Sequence, residues 1–226
     1  MMCGEQRSAA VTLMVGMALL ITCVGGVAET PSGEKTPLPK PKPKGKVSLE
    51  EALWKRQSVR SFTDRVPTWE QVGQLLWAAQ GINRPGTKFR TAPSAGALYP
   101  LELYVLLPSG IYRYLPEEHA VVKTGSQDMR NALSEAGLRQ GFIQEATCVF
   151  VICAVFERTA AKYGNEATRY VLLEGGHAAQ NLLLQAVAMG MAGVPIGAMI
   201  SEEAQKVLRV PQEQRPIYIL ATGFPK

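Results

Sequence analysis

The sequence predicts an α+β layer fold, and three observations carry the prediction. Thr147 to Phe156 is a near-continuous apolar run rich in β-formers, the pattern of a strand buried on both faces. The longest helix-patterned segment runs from about Glu166 to Met189 and is closed by Gly190. Its Leu172, Leu173, Ala179, Leu182, Leu183, Ala186 and Val187 leave little polar surface, which assigns it to a core or a subunit interface. Around these two, shorter helix-like and strand-like segments interleave, as they do when helices cover one main sheet.

The 226 residues suffice for one domain with its own core, or two small ones, but the front of the chain is set apart. Ser8 to Ala28 carries no charge, and Gly26-Val27-Ala28 offers the small residues that a signal peptidase reads. A secretory signal over residues 1–28 is therefore expected. An anchor retained through residues 9–28 and a lipid attached at Cys23 are the alternatives. All three put the domain outside the cytoplasm, periplasmic or extracellular, or at the membrane. Residues 29–46 read as a tether, with Pro31, Pro37, Pro39, Pro41 and Pro43 interleaved with lysines in a pattern that favours polyproline II. The tether holds five Lys against two Glu and accounts for three of the five net positive charges, leaving +2 on the domain expected over residues 47–226. So little charge gives no reason to expect nucleic acid; membrane proximity is expected only through the N-terminal segment.

Cys148 and Cys153 fall at an odd separation in one strand pattern and face opposite ways, so they do not bridge. His119 and His177 are the only histidines and have no carboxylate or thiol at ligand spacing, so no metal is expected. There is no G-x-G-x-x-G after a strand, no P-loop and no G-x-S-x-G elbow.

Taken in order, Ser48 with Glu51 reads as a capping box opening a short helix. That helix runs into Arg56-Gln57-Ser58-Val59-Arg60, where extended chain points Arg56, Ser58 and Arg60 one way. Two guanidiniums and a hydroxyl on one side are suited to an anion such as phosphate; a solvated basic turn is the alternative. Thr68 with Gln71 caps a second helix, whose Val72, Leu75, Leu76 and Ala79 form one face. After a polar loop comes Arg90-Thr91-Ala92-Pro93-Ser94-Ala95-Gly96-Ala97-Leu98-Tyr99-Pro100, small residues bracketed by prolines at an element junction, which let backbone approach something flat. Strands follow at residues 101–107, 111–115 and 120–122, the last two forming a hairpin with His119 in its solvated turn. Residues 127–137 are helical in pattern, and Lys162-Tyr163-Gly164 lies in a polar stretch. His177, Gln180 and Asn181 on the long helix are expected buried and hydrogen-bonded. Val194-Pro195-Ile196-Gly197-Ala198 is short and extended, Ser201 caps a helix, and residues 216–222 form the last strand.

In that order these pieces resemble the FMN-dependent nitroreductase family, most closely its branch of SagB/ThcOx-type dehydrogenases. The resemblance rests on the Arg56–Phe62 stretch, Leu75 to Gly81, the Arg90–Pro100 stretch, Glu174 to Leu182 and Val194 to Ala198, and covers the chain from about Val47. It implies a three-layer α-β-α sandwich with a mainly antiparallel sheet and an intertwined homodimer with FMN at the subunit interface. By this similarity Arg56 and Ser58 hold the phosphate, and Arg60 lies near flavin N1/O2, where a fixed positive charge favours the reduced cofactor. Pro93, Ser94 and Ala95 pack on the isoalloxazine from the other subunit. Pro195, Ile196, Gly197 and Ala198 line the opposite side, with the Gly197 N–H toward N5. Better-studied members carry an acidic residue at Gly197 and a basic tail beyond the last strand, so here Lys226, or Arg215, completes the phosphate site. Lys162 and Tyr163 resemble the pair with which azoline oxidases of this branch abstract a proton. The implied activity is ping-pong hydride exchange between NAD(P)H and an organic acceptor, a nitro compound or quinone. Oxidation of a heterocycle or other small substrate is one alternative, and an exported flavin-binding protein without turnover is the other.

Overall fold

The computed structural model describes residues 33–226; the expected leader and the first residues of the expected tether lie outside them. No helix among the described residues is long and apolar enough to cross a membrane.

The strands are β1 (Lys35–Pro37), β2 (Leu101–Leu107), β3 (Gly110–Leu115), β4 (Ala120–Gly125), β5 (Cys148–Ala154), β6 (Ala192–Ile196) and β7 (Arg215–Gly223). They form one sheet in the order β1-β4-β3-β2-β5-β7-β6, with every neighbouring pair antiparallel. The helices are α1 (Leu49–Lys55), α2 (Trp69–Gln80), α3 (Arg130–Ala136), α4 (Phe142–Glu145), α5 (Phe156–Tyr163), α6 (Ala167–Ala188) and α7 (Ser201–Leu208).

The central β5 explains the three layers. All its residues are buried, and alternation sends Cys148, Phe150, Ile152 and Ala154 into one core with Leu75, Leu76, Val171 and Leu182 of α2 and α6. Val149, Val151 and Cys153 enter a second core with Leu133, Ile143, Ala204 and Leu208 of α3, α4 and α7. A period of two on a sheet covered on both sides gives this division. Both cysteines are free, and burial pushes the Cys148 thiol up to about 12, so it stays protonated and inert.

Four expectations are corrected. Part of the tether is packed on the domain. Lys35–Pro37 pairs with β4 in the register Thr36↔Val121, and Leu38 is only 8% exposed. Pro37 is tolerated because β1 is an edge strand. Gln74 then closes on Lys42 from both sides, accepting from its N–H at 2.8 Å and donating to its C=O at 3.1 Å. His119 is not a solvated turn residue: it lies 2.9 Å from the Tyr114 hydroxyl and 2.9 Å from the Pro39 carbonyl, fastening this strap to the hairpin. Ser201 does not cap α7; its hydroxyl donates to the Pro216 carbonyl, and Ile200 takes the N-cap position. On α6, His177 and Gln180 are exposed, while half-buried Asn181 reaches the Thr91 carbonyl only at 3.5 Å.

Candidate functional site

The first group of predicted residues is assembled at the β6 edge of the sheet. α1 ends at Arg56, whose backbone is extended, and the chain then runs beside β6. Ser58 bridges Gly193 in parallel, and the Val59 N–H donates to the Gly193 carbonyl at 3.2 Å. Phe62, 1% exposed, anchors this segment. It bridges Pro225 and lies so close to β7 that a Cβ on Gly223 would meet its ring at 3.0 Å. The Lys226 N–H donates to the Ser61 carbonyl at 3.3 Å, so Lys226 meets the end of the segment that carries Arg56, Ser58 and Arg60. Ser58, Arg60 and Lys226 are exposed and Arg56 is half-buried. Among the described residues none of the three cations pairs with a carboxylate. Their charge is therefore available to an external anion.

Arg215, the other candidate for this grip, starts β7 at its opposite end, about 27 Å away at the usual strand rise, with its guanidinium against Phe156. Of the two, Lys226 is the one whose backbone meets this segment. β6 leads directly to the remaining members of the group. Pro195 is half-buried, Ile196 buried, and Gly197 and Ala198 exposed. A Cβ on Gly197 would meet nothing within 4 Å, so its backbone borders open space into which a flat group can pack.

The second group forms around the turn after α2. Pro93 is exposed, and Ser94 and Ala95 are half-buried; Ala95–Ala97 is one 3₁₀ turn. Gly96, Ala97 and Tyr99 all have positive φ, 62°, 54° and 48°. For Ala97 and Tyr99 this region is disfavoured by about 1–2 kcal/mol each, so the surroundings must hold it. The Ser94 hydroxyl accepts the Tyr99 N–H at 2.9 Å, and Arg158 donates to the Tyr99 carbonyl at 3.1 Å. Lys162 and Tyr163 end α5, a helix that the sequence reading leaves as a polar stretch. Both reach this turn: a Cβ on Gly96 would lie 3.0 Å from the Tyr163 hydroxyl and 3.1 Å from Lys162 Nζ.

Behind the turn lies Glu174, 3% exposed and accepting from Gln80 Nε2 at 3.3 Å. Burial pushes its carboxyl up to about 7, against the opposing pull of the nearby Ser94, Gln80 and Arg90. Glu174 carried only part of a motif in the sequence, with no role of its own. The signal that marks it is position: it stands with Val171 and Ala178 on the buried stripe of α6, where an ionisable side chain is out of place unless partnered.

No hydrogen bond or β-bridge among the described residues joins the two groups within the chain. The first is a basic, open cradle; the second is a strained turn flanked by a Lys-Tyr pair.

Comparison with known proteins accounts for both the fold and the order of these pieces. The model of the nitroreductase family matches residues 53–224. A Methanocaldococcus jannaschii protein named as a nitroreductase is 37% identical over 183 residues, covering 78% of this chain and 91% of that protein. The NADPH-flavin oxidoreductase of Vibrio harveyi is 27% identical over 114 residues, which is 47% of this chain and 48% of that enzyme, so the match spans about half of each. A crystal structure from Ralstonia eutropha, of another protein named as a nitroreductase, superposes with a TM-score of 0.78 at 28% identity, over 85% of this chain and 90% of that one. The chain is an oxidoreductase-type enzyme in its relationships, and it belongs to the nitroreductase family.

Proposed function

We propose that the chain is an FMN-dependent oxidoreductase that exchanges a hydride between NAD(P)H and a small organic acceptor, a nitro compound or a quinone, in two alternating half-reactions. The observation that carries this reading is the β6-edge cradle: Arg56, Arg60 and Lys226 unpaired with carboxylate among the described residues, beside the open backbone of Gly197. The donor set fits FMN. Arg56, Ser58 and Lys226 would take the phosphate through charge-assisted hydrogen bonds, Arg60 would supply positive charge along the ring edge, and Gly197 would offer a backbone donor without a side chain in the way. When bound, the flavin supplies the atom that accepts and releases hydride; the chain binds, orients and shields it.

We place the second half of the site in a second copy of the chain. Supporting this are large apolar side chains left outside the core on α1 and α6: Trp54 90% exposed, Leu53 52%, Leu172 51% and Leu173 56%. An apolar surface of this kind calls for a partner. In a homodimer Pro93, Ser94 and Ala95 of one protomer would close over the cofactor held by the other.

A second reading has its own observation. Lys162 and Tyr163 converge on the Gly96 turn, where an amine and a phenol would serve to move a proton from a substrate being oxidised, as in the dehydrogenase branch. It predicts turnover with an oxidisable heterocycle in place of NAD(P)H.

The test is the visible spectrum of the purified full chain before and after anaerobic NADPH. Flavin bands that bleach with NADPH support the reductase; bands that bleach only with dithionite point to the oxidising branch or to a binding protein without turnover. A chain that acquires no flavin on reconstitution with FMN refutes the proposal.

A further inference from the structure

The strained turn and the Lys-Tyr pair beside it belong to different elements, and one side chain joins them. Tyr99 ends the turn at φ 48°, a conformation that persists only where the surroundings impose it. Its carbonyl accepts from Arg158 Nη1 at 3.1 Å, and the next carbonyl, that of Pro100, accepts the Val155 N–H at 2.9 Å. Arg158 stands four residues before Lys162 on α5, so the two side chains leave the same face of the helix. Both reach the turn, Arg158 at Tyr99 and Lys162 at Gly96.

The grip of Arg158 is itself held from the sheet. Its Nη2 donates to Glu102 Oε1 at 2.6 Å. The other carboxylate oxygen, Oε2, accepts from Arg113 Nε and Nη2 at 3.2 and 2.9 Å. Glu102 is on β2 and Arg113 on β3, so the carboxylate that orients Arg158 is fixed to two paired strands. A guanidinium suits this place because its fork is planar and rigid: one Nη serves the carboxylate while the other serves the Tyr99 carbonyl. We propose that Arg158 is a positioning residue: oriented by Glu102, it pins the Tyr99 carbonyl and so fixes the shape of the Gly96–Tyr99 turn and its seat against Lys162 and Tyr163. Pro93, Ser94 and Ala95 lead into that turn, and their presentation to a cofactor depends on it. The inference rests on the FMN reading above for what the turn faces, and on the hydrogen bonds alone for what holds it.

The test uses the full chain as wild type, Arg158→Met, Glu102→Gln and the double variant. Met keeps an apolar stem and removes every donor, and the Arg158 side chain is 40% exposed, so this variant is expected to fold. The amides of Ala97, Leu98 and Tyr99 bond within the turn. Measured without added flavin, their hydrogen exchange is expected to rise about tenfold in Arg158→Met, with the β5 amides unchanged. Glu102→Gln is expected to raise it about threefold, because the fork loses its charged anchor and keeps the Tyr99 carbonyl within reach. In the Arg158→Met background Glu102→Gln is expected to add nothing further at these amides, since Glu102 acts on the turn through Arg158. Unchanged exchange in Arg158→Met, or effects that multiply in the double variant, overturns the proposal. If Glu102→Gln does not fold, because Arg113 loses its partner, Arg158→Met alone decides on the same amides. In the FMN-loaded protein, Arg158→Met is expected to slow bleaching by saturating NADPH about tenfold with little change in the NADPH concentration needed for half-saturation, the signature of a misplaced reacting geometry. A loosened turn with an unaltered bleaching rate overturns the functional link. A wild type that takes up no FMN sinks the FMN reading, whereas the exchange measurement still upholds or overturns the hold of Arg158 on the turn.

Discussion

Replacing Arg56 by Ala isolates the phosphate end of the proposed cofactor site. A charge-assisted hydrogen bond contributes about 1.5–3 kcal/mol, and because Arg56 is half-exposed, water compensates part of the loss, which puts it near the lower end. About 1.5–2 kcal/mol corresponds to a loss of roughly 10- to 30-fold in FMN affinity. Adding Ser58→Ala removes a neutral donor worth about 1 kcal/mol and takes the loss to roughly 100-fold. Stability is expected to be almost untouched. Arg56 makes no ion pair among the described residues and Ser58 is exposed, so both belong with surface changes worth within about 0.5 kcal/mol. The assay is titration of the apoprotein with FMN and, separately, with riboflavin, following quenching of flavin fluorescence. Riboflavin has the ring but no phosphate, so its affinity is expected to stay constant across the variants while that of FMN falls. A double variant that holds FMN as tightly as wild type, or that loses FMN and riboflavin equally, refutes the assignment of these residues to the phosphate.

Gly197→Val fills space that is empty in the folded chain; the thermal midpoint is expected to hold while flavin affinity drops at least about tenfold, since one methyl-sized clash is costly in a packed site. Lys162→Met with Tyr163→Phe is expected to leave NADPH bleaching within about twofold and to abolish any oxidation of heterocycles, so slowed bleaching with NADPH would move the pair into the reductase mechanism. Trp54→Glu places a charge on the exposed apolar surface and is expected to convert the proposed dimer to monomer in light scattering; a dimer of unchanged mass counts against this surface as its interface. Glu174 carries a pH dependence: its carboxyl titrates near 7 when folded against 4.5 otherwise, so the native state holds the proton more tightly. Its contribution is full below pH 4.5 and is lost as pH rises through 7, by up to about 3 kcal/mol. Thermal midpoints of Glu174→Gln are expected to fall less than those of wild type across that window, and parallel curves count against the assignment.

What can be read from the chain divides by the range of the interactions concerned. β2, β5 and β7 are legible because an apolar run on a doubly covered sheet has few other solutions, and the Thr68–Gln71 box is legible because both halves of the cap are local. The strap misleads for a physical reason. Alternating Pro and Lys reports the absence of internal hydrogen bonds, and it says nothing about a β4 edge and a Gln74 amide waiting elsewhere in the fold. α5 escapes because it is short and mostly exposed, with Glu157-Arg158-Thr159 in its first half and a single buried residue, Thr159, so it leaves no apolar stripe to mark it. In the candidate site, Arg56, Ser58 and Arg60 can be picked out by alternation, but that the Lys226 end of the chain rather than Arg215 meets their segment follows from the Phe62–Pro225 bridge, a contact between residues far apart in sequence. Glu174 stands within a motif, yet its buried pairing is not legible there, since its partner Gln80 comes from another segment.

The two groups differ in how they are held, and the difference bears on function. The basic cradle is built from exposed side chains on extended backbone fixed by a few main-chain bonds to β6 and the chain end, an arrangement that gives affinity and tolerates adjustment. The Ser94–Tyr99 turn stores backbone strain and is restrained from several sides, by the Ser94 hydroxyl on the Tyr99 N–H, by Arg90 and by Arg158. A restraint of that density is unnecessary for a surface loop, which would relax instead. It is expected where shape must be set before a ligand arrives, because ordering the turn on binding would subtract from affinity. The rigid half thus suits the face that governs approach of a substrate, and the adaptable half suits the grip on a cofactor's charged tail.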